Sequence, residues 1–208
     1  MRALVITVAL LTGGAALVPA WQAVPPARTP GGRLTTQHSC SASLGNGVRS
    51  RRAFCDVISG ATPADSVMMV IPSRTGPATL FFDLHNRFAL PVIAGFPGVS
   101  YTRHEAVVRV VGADGSVIGR AAVIREFRTT ADLFDQIAGG GRPDGAKGVA
   151  PGPPEAVRIV VPAGVTTIGI VGELLRVRTA TGRDDTFDAP GRPVAIVSNV
   201  RLEYRPGR

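Results

Sequence analysis

The sequence predicts an all-β protein: an antiparallel β-sandwich, jelly-roll-like in preference to immunoglobulin-like, with one short helix near residues 130–138. Three observations carry this. Short segments rich in β-branched residues recur with Gly, Pro, Asn or Asp between them, about eight or nine in all, which is the spacing of a sandwich. They do not alternate regularly with helical segments, as a parallel α/β sheet requires. Hydrophobic residues make up 45% of the 208 and mean hydropathy is +0.21, ample for a buried core. The immunoglobulin order ranks second because the chain lacks the Cys…Trp…Cys spacing of those domains.

In chain order, residues 1–20 read as a signal peptide. Arg2 supplies the positive start, Ala3 to Leu11 is apolar apart from Thr7, and Val18 and Ala20 are the small residues that precede a cleavage point. Cleavage after Ala20 is expected, with an uncleaved anchor as the alternative. No cysteine sits at the cleavage point, so a lipid anchor is unsupported. Residues 21–32 form a linker rich in Pro and Gly, and 33–208 a single sandwich domain. No second long apolar run follows, so no membrane span is expected after cleavage. Cys40 and Cys55, an even pair in an exported chain, predict one disulfide, with Gly45, Asn46 and Gly47 offering a turn between them. A metal site is not expected, because two cysteines 15 apart with His38 alone nearby do not match a zinc spacing.

The strands follow. Residues 52–58 alternate, with Ala53, Cys55 and Val57 on one face, and residues 66–71 form an apolar run ended by Pro72. Between Pro77 and Pro91 the alternation is clearest: Leu80, Phe82, Leu84, Asn86 and Phe88 face the core, while Thr79, Phe81, Asp83, His85 and Arg87 face out. Residues 101–111 and 117–128 flank Asp114-Gly115, the strongest hairpin signal in the chain. Leu133, Phe134 and Ile137 then take helical spacing, with Asp132 and Asp135 near the start and Gly139 to Gly141 as the stop. A long loop rich in Gly and Pro covers 139–154. Residues 155–161, 166–171, 173–179 and 193–204 complete the strand candidates.

Several chemistries are excluded. Gly140 and Gly145 have P-loop spacing, but Ala146 stands where lysine is needed, and the order is helix, loop, strand. There is no Gly-x-Ser-x-Gly elbow, no His-Glu-x-x-His and no calcium loop. No cofactor is implied. The net charge of +8 comes almost wholly from arginine, since Lys147 is the one lysine among 23 basic residues. These arginines are dispersed apart from Arg49, Arg51 and Arg52, and aromatics are 5%, so a nucleic-acid surface is not expected.

The best site candidate is the outward row of Asp83, His85 and Arg87, read as ligand-binding. A carboxylate beside the imidazole would hold its tautomer, and the row could meet a concavity with Glu105 or the 139–154 loop. No nucleophile is nominated; Ser100 and Ser198 stand only by default. The expectation is therefore a basic, exported, non-enzymatic binding or structural module of the bacterial envelope or exterior, periplasmic or extracellular. The sequence names no partner; the expected classes are a glycan or an anionic envelope polymer. The alternative is a hydrolase with His85 as acid/base.

Overall fold

A computed structural model of the chain describes residues 32–60, 63–88, 101–126, 150–179, 182, 184–186 and 194–207. The residues read as a signal segment and linker, up to 31, and the helix expected near 130–138 lie outside the described residues. The strands are β1 (Arg33–Thr35), β2 (Ser39–Cys40), β3 (Ser43–Asn46), β4 (Ala53–Val57), β5 (Val67–Val70), β6 (Ala78–Phe88), β7 (Tyr101–Gly112), β8 (Val117–Glu126), β9 (Ala150–Pro151), β10 (Glu155–Val161), β11 (Thr167–Thr179), β12 (Asp184–Thr186) and β13 (Ala195–Tyr204). A single 3-10 turn spans Pro63–Asp65.

Two antiparallel sheets result. One runs β10-β6-β13-β4-β3, with β1 on β13 and β9 on β6; the other runs β2-β5-β11-β7-β8, with β12 on β11. The eight long-range strands β4, β5, β6, β7, β8, β10, β11 and β13 change sheet at every step except the β7–β8 hairpin. Their orders, β10-β6-β13-β4 and β5-β11-β7-β8, are those of a jelly roll. The tight hairpin is permitted at Asp114-Gly115 because Gly115 takes φ 79°, and Asp114 Oδ1 accepts the Ser116 amide at 3.0 Å.

Between the sheets lies one core. Leu80, Phe82 and Leu84 from β6, Val197 and Leu202 from β13, and Ala106, Val108 and Val110 from β7 meet Ile168, Ile170 and Val177 from β11. Leu80, Phe82 and Leu84 of the row read between Pro77 and Pro91 thus face the core as expected, while the side chain of Phe88 lies outside the described residues. Asn86 of the same row is fully buried, and its amide donates to the Val123 carbonyl at 3.4 Å.

Two strand readings change. Residues 166–171 and 173–179 belong to one strand, β11, with a register shift between Gly172 and Leu174 against β7. A bulge inserts one residue and leaves the pairing on either side intact, so the period breaks while the strand continues. A second shift, between Ser198 and Arg201, divides β13. Before it Ala195 and Val197 face the core; after it Val200, Leu202 and Tyr204 do. Asn199, at φ 53°, absorbs the change of parity. The reversal before β4 also comes later than Gly45–Gly47. β3 continues through Asn46 because it pairs with β4, and the turn is closed by Gly47 N to Arg52 O at 2.9 Å.

Cys40 and Cys55 are disulfide-bonded with their Cα atoms 5.6 Å apart. Because β2 and β4 lie in different sheets, the bond ties the two layers together.

Candidate functional site

In antiparallel pairs, residues directly opposite each other share a face. The pairings of β6 with β10, β13 and, through β13, β4 and β1 therefore define rows on the outer face of the seven-stranded sheet. Furthest along lies Val160–Thr79–Glu203–Leu34. Next is Arg158–Phe81–Arg201, then Ala156–Asp83–Ser198–Phe54, then His85–Ile196–Asp56.

Asp83 and His85 do not form a pair. Asp83 Oδ2 takes Arg52 Nη1 at 3.1 Å and the Asn199 side-chain amide at 3.3 Å. The partner comes from the β3–β4 turn, one of the basic residues grouped in sequence at 49–52. His85 is directed outward by the strand alternation, yet it is 0% exposed. It sits under a small second cluster on this outer face, formed by Phe54, Ile196 and Leu44, with its ring edge-on to Phe54 at 5.6 Å. Its Nδ1 lies 2.7 Å from the Gly152 carbonyl oxygen and its Nε2 2.9 Å from Ser198 Oγ. A carbonyl only accepts, so Nδ1 carries the proton and Nε2 accepts from the serine hydroxyl. The Arg87 backbone pairs with Pro151, and its side chain lies outside the described residues. Glu105 belongs to the outer face of the other sheet, so it cannot line a concavity with His85; of the stretch read as a 139–154 loop, Gly152 does reach His85, next to residues 150–151, which form β9 instead.

Closer to the middle of the sheet the face is open. Arg158 is exposed, and the Arg201 guanidinium lies over the Phe81 ring at 5.1 Å. Neighbouring strands are about 4.8 Å apart, so the backbones of Arg158 and Arg201 stand about 10 Å apart, flanking that of Phe81. Val160 and Leu34, 54% and 60% exposed, flank this row. The result is a surface that mixes guanidinium groups with exposed apolar side chains. Sequence reading named Ser198 only by default and did not bring Arg158, Arg201 or Gly152 to this face, because pairing with β6 joins residues up to 120 apart (201 − 81).

The opposite outer face carries charge already engaged. Glu105 bridges Arg103, at 2.8 Å, and Arg176, whose Nε lies 2.8 Å from its other oxygen. Asp184 binds Arg178 at 2.8 Å and Arg176 at 3.5 Å. The Arg178 hydrogen bond holds the Asp184 carboxyl below its ordinary range, and Asp184 in return raises the guanidinium of Arg178.

At one corner of the sandwich His38, Cys40 and Cys55 bring potential ligand atoms within 4.8 Å of one another, although the two sulfurs are bonded together. Among the described residues no helix is long and apolar enough to cross a membrane. Comparison of the chain with known families, curated proteins and solved structures finds no match.

Proposed function

We propose that the chain is an exported, non-enzymatic jelly-roll module that binds an anionic polymer of the bacterial envelope, glycan or other, on the outer face of its seven-stranded sheet. The observation that carries this is the Arg158–Phe81–Arg201 row. Guanidinium groups bond carboxylate or phosphate through planar forks, and an aromatic or aliphatic neighbour offers apolar contact to the body of a repeating unit. Two cationic side chains rooted on strands that flank β6 suit a chain with spaced anions laid across the strands. Asp83, bonded to Arg52 and Asn199, acts here as the residue that holds the edge of this surface in place. Export agrees with the disulfide.

Chromatography on immobilised heparin, as a model polyanion, tests the reading. The native protein should be retained and released by salt. The double variant Arg158→Ala/Arg201→Ala should bind about tenfold more weakly or less, the equivalent of about 1.4 kcal/mol. Identical elution of the two proteins would refute the surface.

A second reading, hydrolysis with His85 as acid/base, draws on the Ser198–His85–Gly152 relay, whose hydrogen bonds run in the direction that activates a serine. Both side chains are buried, at 0% and 1% exposure, so this reading requires the cover over them to open. Labelling by a fluorophosphonate, lost in Ser198→Ala, would support it; an unlabelled native protein would exclude it.

A further inference from the structure

The corner holding the disulfide has the composition of a soft metal site. His38 and Cys40 are two residues apart, and Cys55 arrives from the other sheet. Potential ligand atoms of the three lie within 4.8 Å of one another. The His38 ring is already oriented: its Nδ1 lies 2.7 Å from the Thr36 carbonyl oxygen, which only accepts, so Nδ1 carries the proton and Nε2 the lone pair. Metal-binding histidines are commonly held in this way. Cys55 is buried, while Cys40 and His38 are half-buried, so the corner is walled on one side and reachable from the other.

We propose that reduction of the Cys40–Cys55 disulfide converts this corner into a copper(I) site, with two thiolates and the His38 imidazole as ligands. In the oxidised chain the sulfurs are bonded to each other, leaving one imidazole, which holds a metal weakly. A dithiol reductant breaks the sulfur–sulfur bond and leaves as its own disulfide, so that two electrons and two protons pass to Cys40 and Cys55. Both thiol protons go to solvent when the metal binds. Copper(I) is soft and satisfied by three ligands of this kind, whereas zinc would need a fourth. The site is thus gated by the redox state of the compartment. It does not depend on the outer-face reading above.

The test uses full-length protein, reduced with a phosphine and exchanged into reductant-free buffer under argon, then titrated against the coloured copper(I)–bicinchoninate complex. The reduced protein should withdraw one copper per chain and the disulfide form none. His38→Ala leaves both cysteines in place, and in reduced form should compete at least about tenfold more weakly. Cys40→Ser should not compete. Equal withdrawal by the reduced native protein and either variant overturns the proposal. So does preference for zinc over copper(I), or loss of the sheet signal in circular dichroism on reduction, since the ligands converge only while β2 and β4 are folded.

Discussion

At the scale of single residues, His85 shows how far an outward position on a strand is from an exposed one. Its ring is enclosed by Phe54 and fastened at both nitrogens, to Gly152 O and Ser198 Oγ. The first bond pins the segment before β10 to the sheet, assisted by the Gly152 amide, which donates to the Asn86 carbonyl at 2.9 Å. His85→Ala would leave a cavity and strip a buried carbonyl and a buried hydroxyl of their partner. It should destabilise the fold by about 2–4 kcal/mol. Urea unfolding measures this, and a loss below about 1 kcal/mol would contradict the structural role. Asp83, by contrast, is satisfied by Arg52 and Asn199 in a partly exposed setting, where ion pairs contribute little.

At the scale of elements, the bulge in β13 decides which side chains reach which face. Asn199 holds a positive φ of 53°, open to Asn or Gly but strained for a β-branched residue. Asn199→Val should therefore cost about 1–3 kcal/mol. Asn199→Gly, which keeps the backbone and loses only the bond to Asp83, should stay within about 1 kcal/mol of the native protein. Equal losses in the two variants would show that the backbone is not the cause. The β11–β12 pair offers a pH test. Asp184 has a folded pKa below its unfolded value, chiefly through the Arg178 hydrogen bond. Its contribution is present above the ordinary carboxylate pKa and is lost as pH falls through the depressed folded value. The melting temperatures of native protein and Asp184→Asn should differ near neutrality and converge in strong acid; a constant gap down to about pH 2 would exclude the linkage.

At the scale of the molecule, the two sheets are joined by the shared core and by one covalent tie. Closing a loop of this size contributes about 3 kcal/mol in the chain-entropy model. Cys40→Ala/Cys55→Ala should lower unfolding stability by about that amount in calorimetry or denaturant, and an unchanged midpoint would refute the tie's role. The disulfide itself is checked by mass: the oxidised chain is two hydrogen atoms lighter than the reduced one.

Much of this architecture was legible along the chain. The alternation of Leu80, Phe82 and Leu84, the Asp114-Gly115 reversal and the cysteine pair each follow from the conformational preferences of a few adjacent residues, and together they specify an all-β sandwich. Bulges were less visible, because an inserted residue at Gly172 or Asn199 looks locally like the end of a strand. The candidate surface was least visible. Asp83 could be named from its strand, but its partner Arg52, the guanidinium over Phe81 and the serine beside His85 come from other strands. Which residues stand opposite one another depends on register between segments more than a hundred residues apart in the case of β6 and β13. Local periodicity therefore says which way a side chain points. What it meets, and whether water reaches it, follows from the packing of the whole sheet.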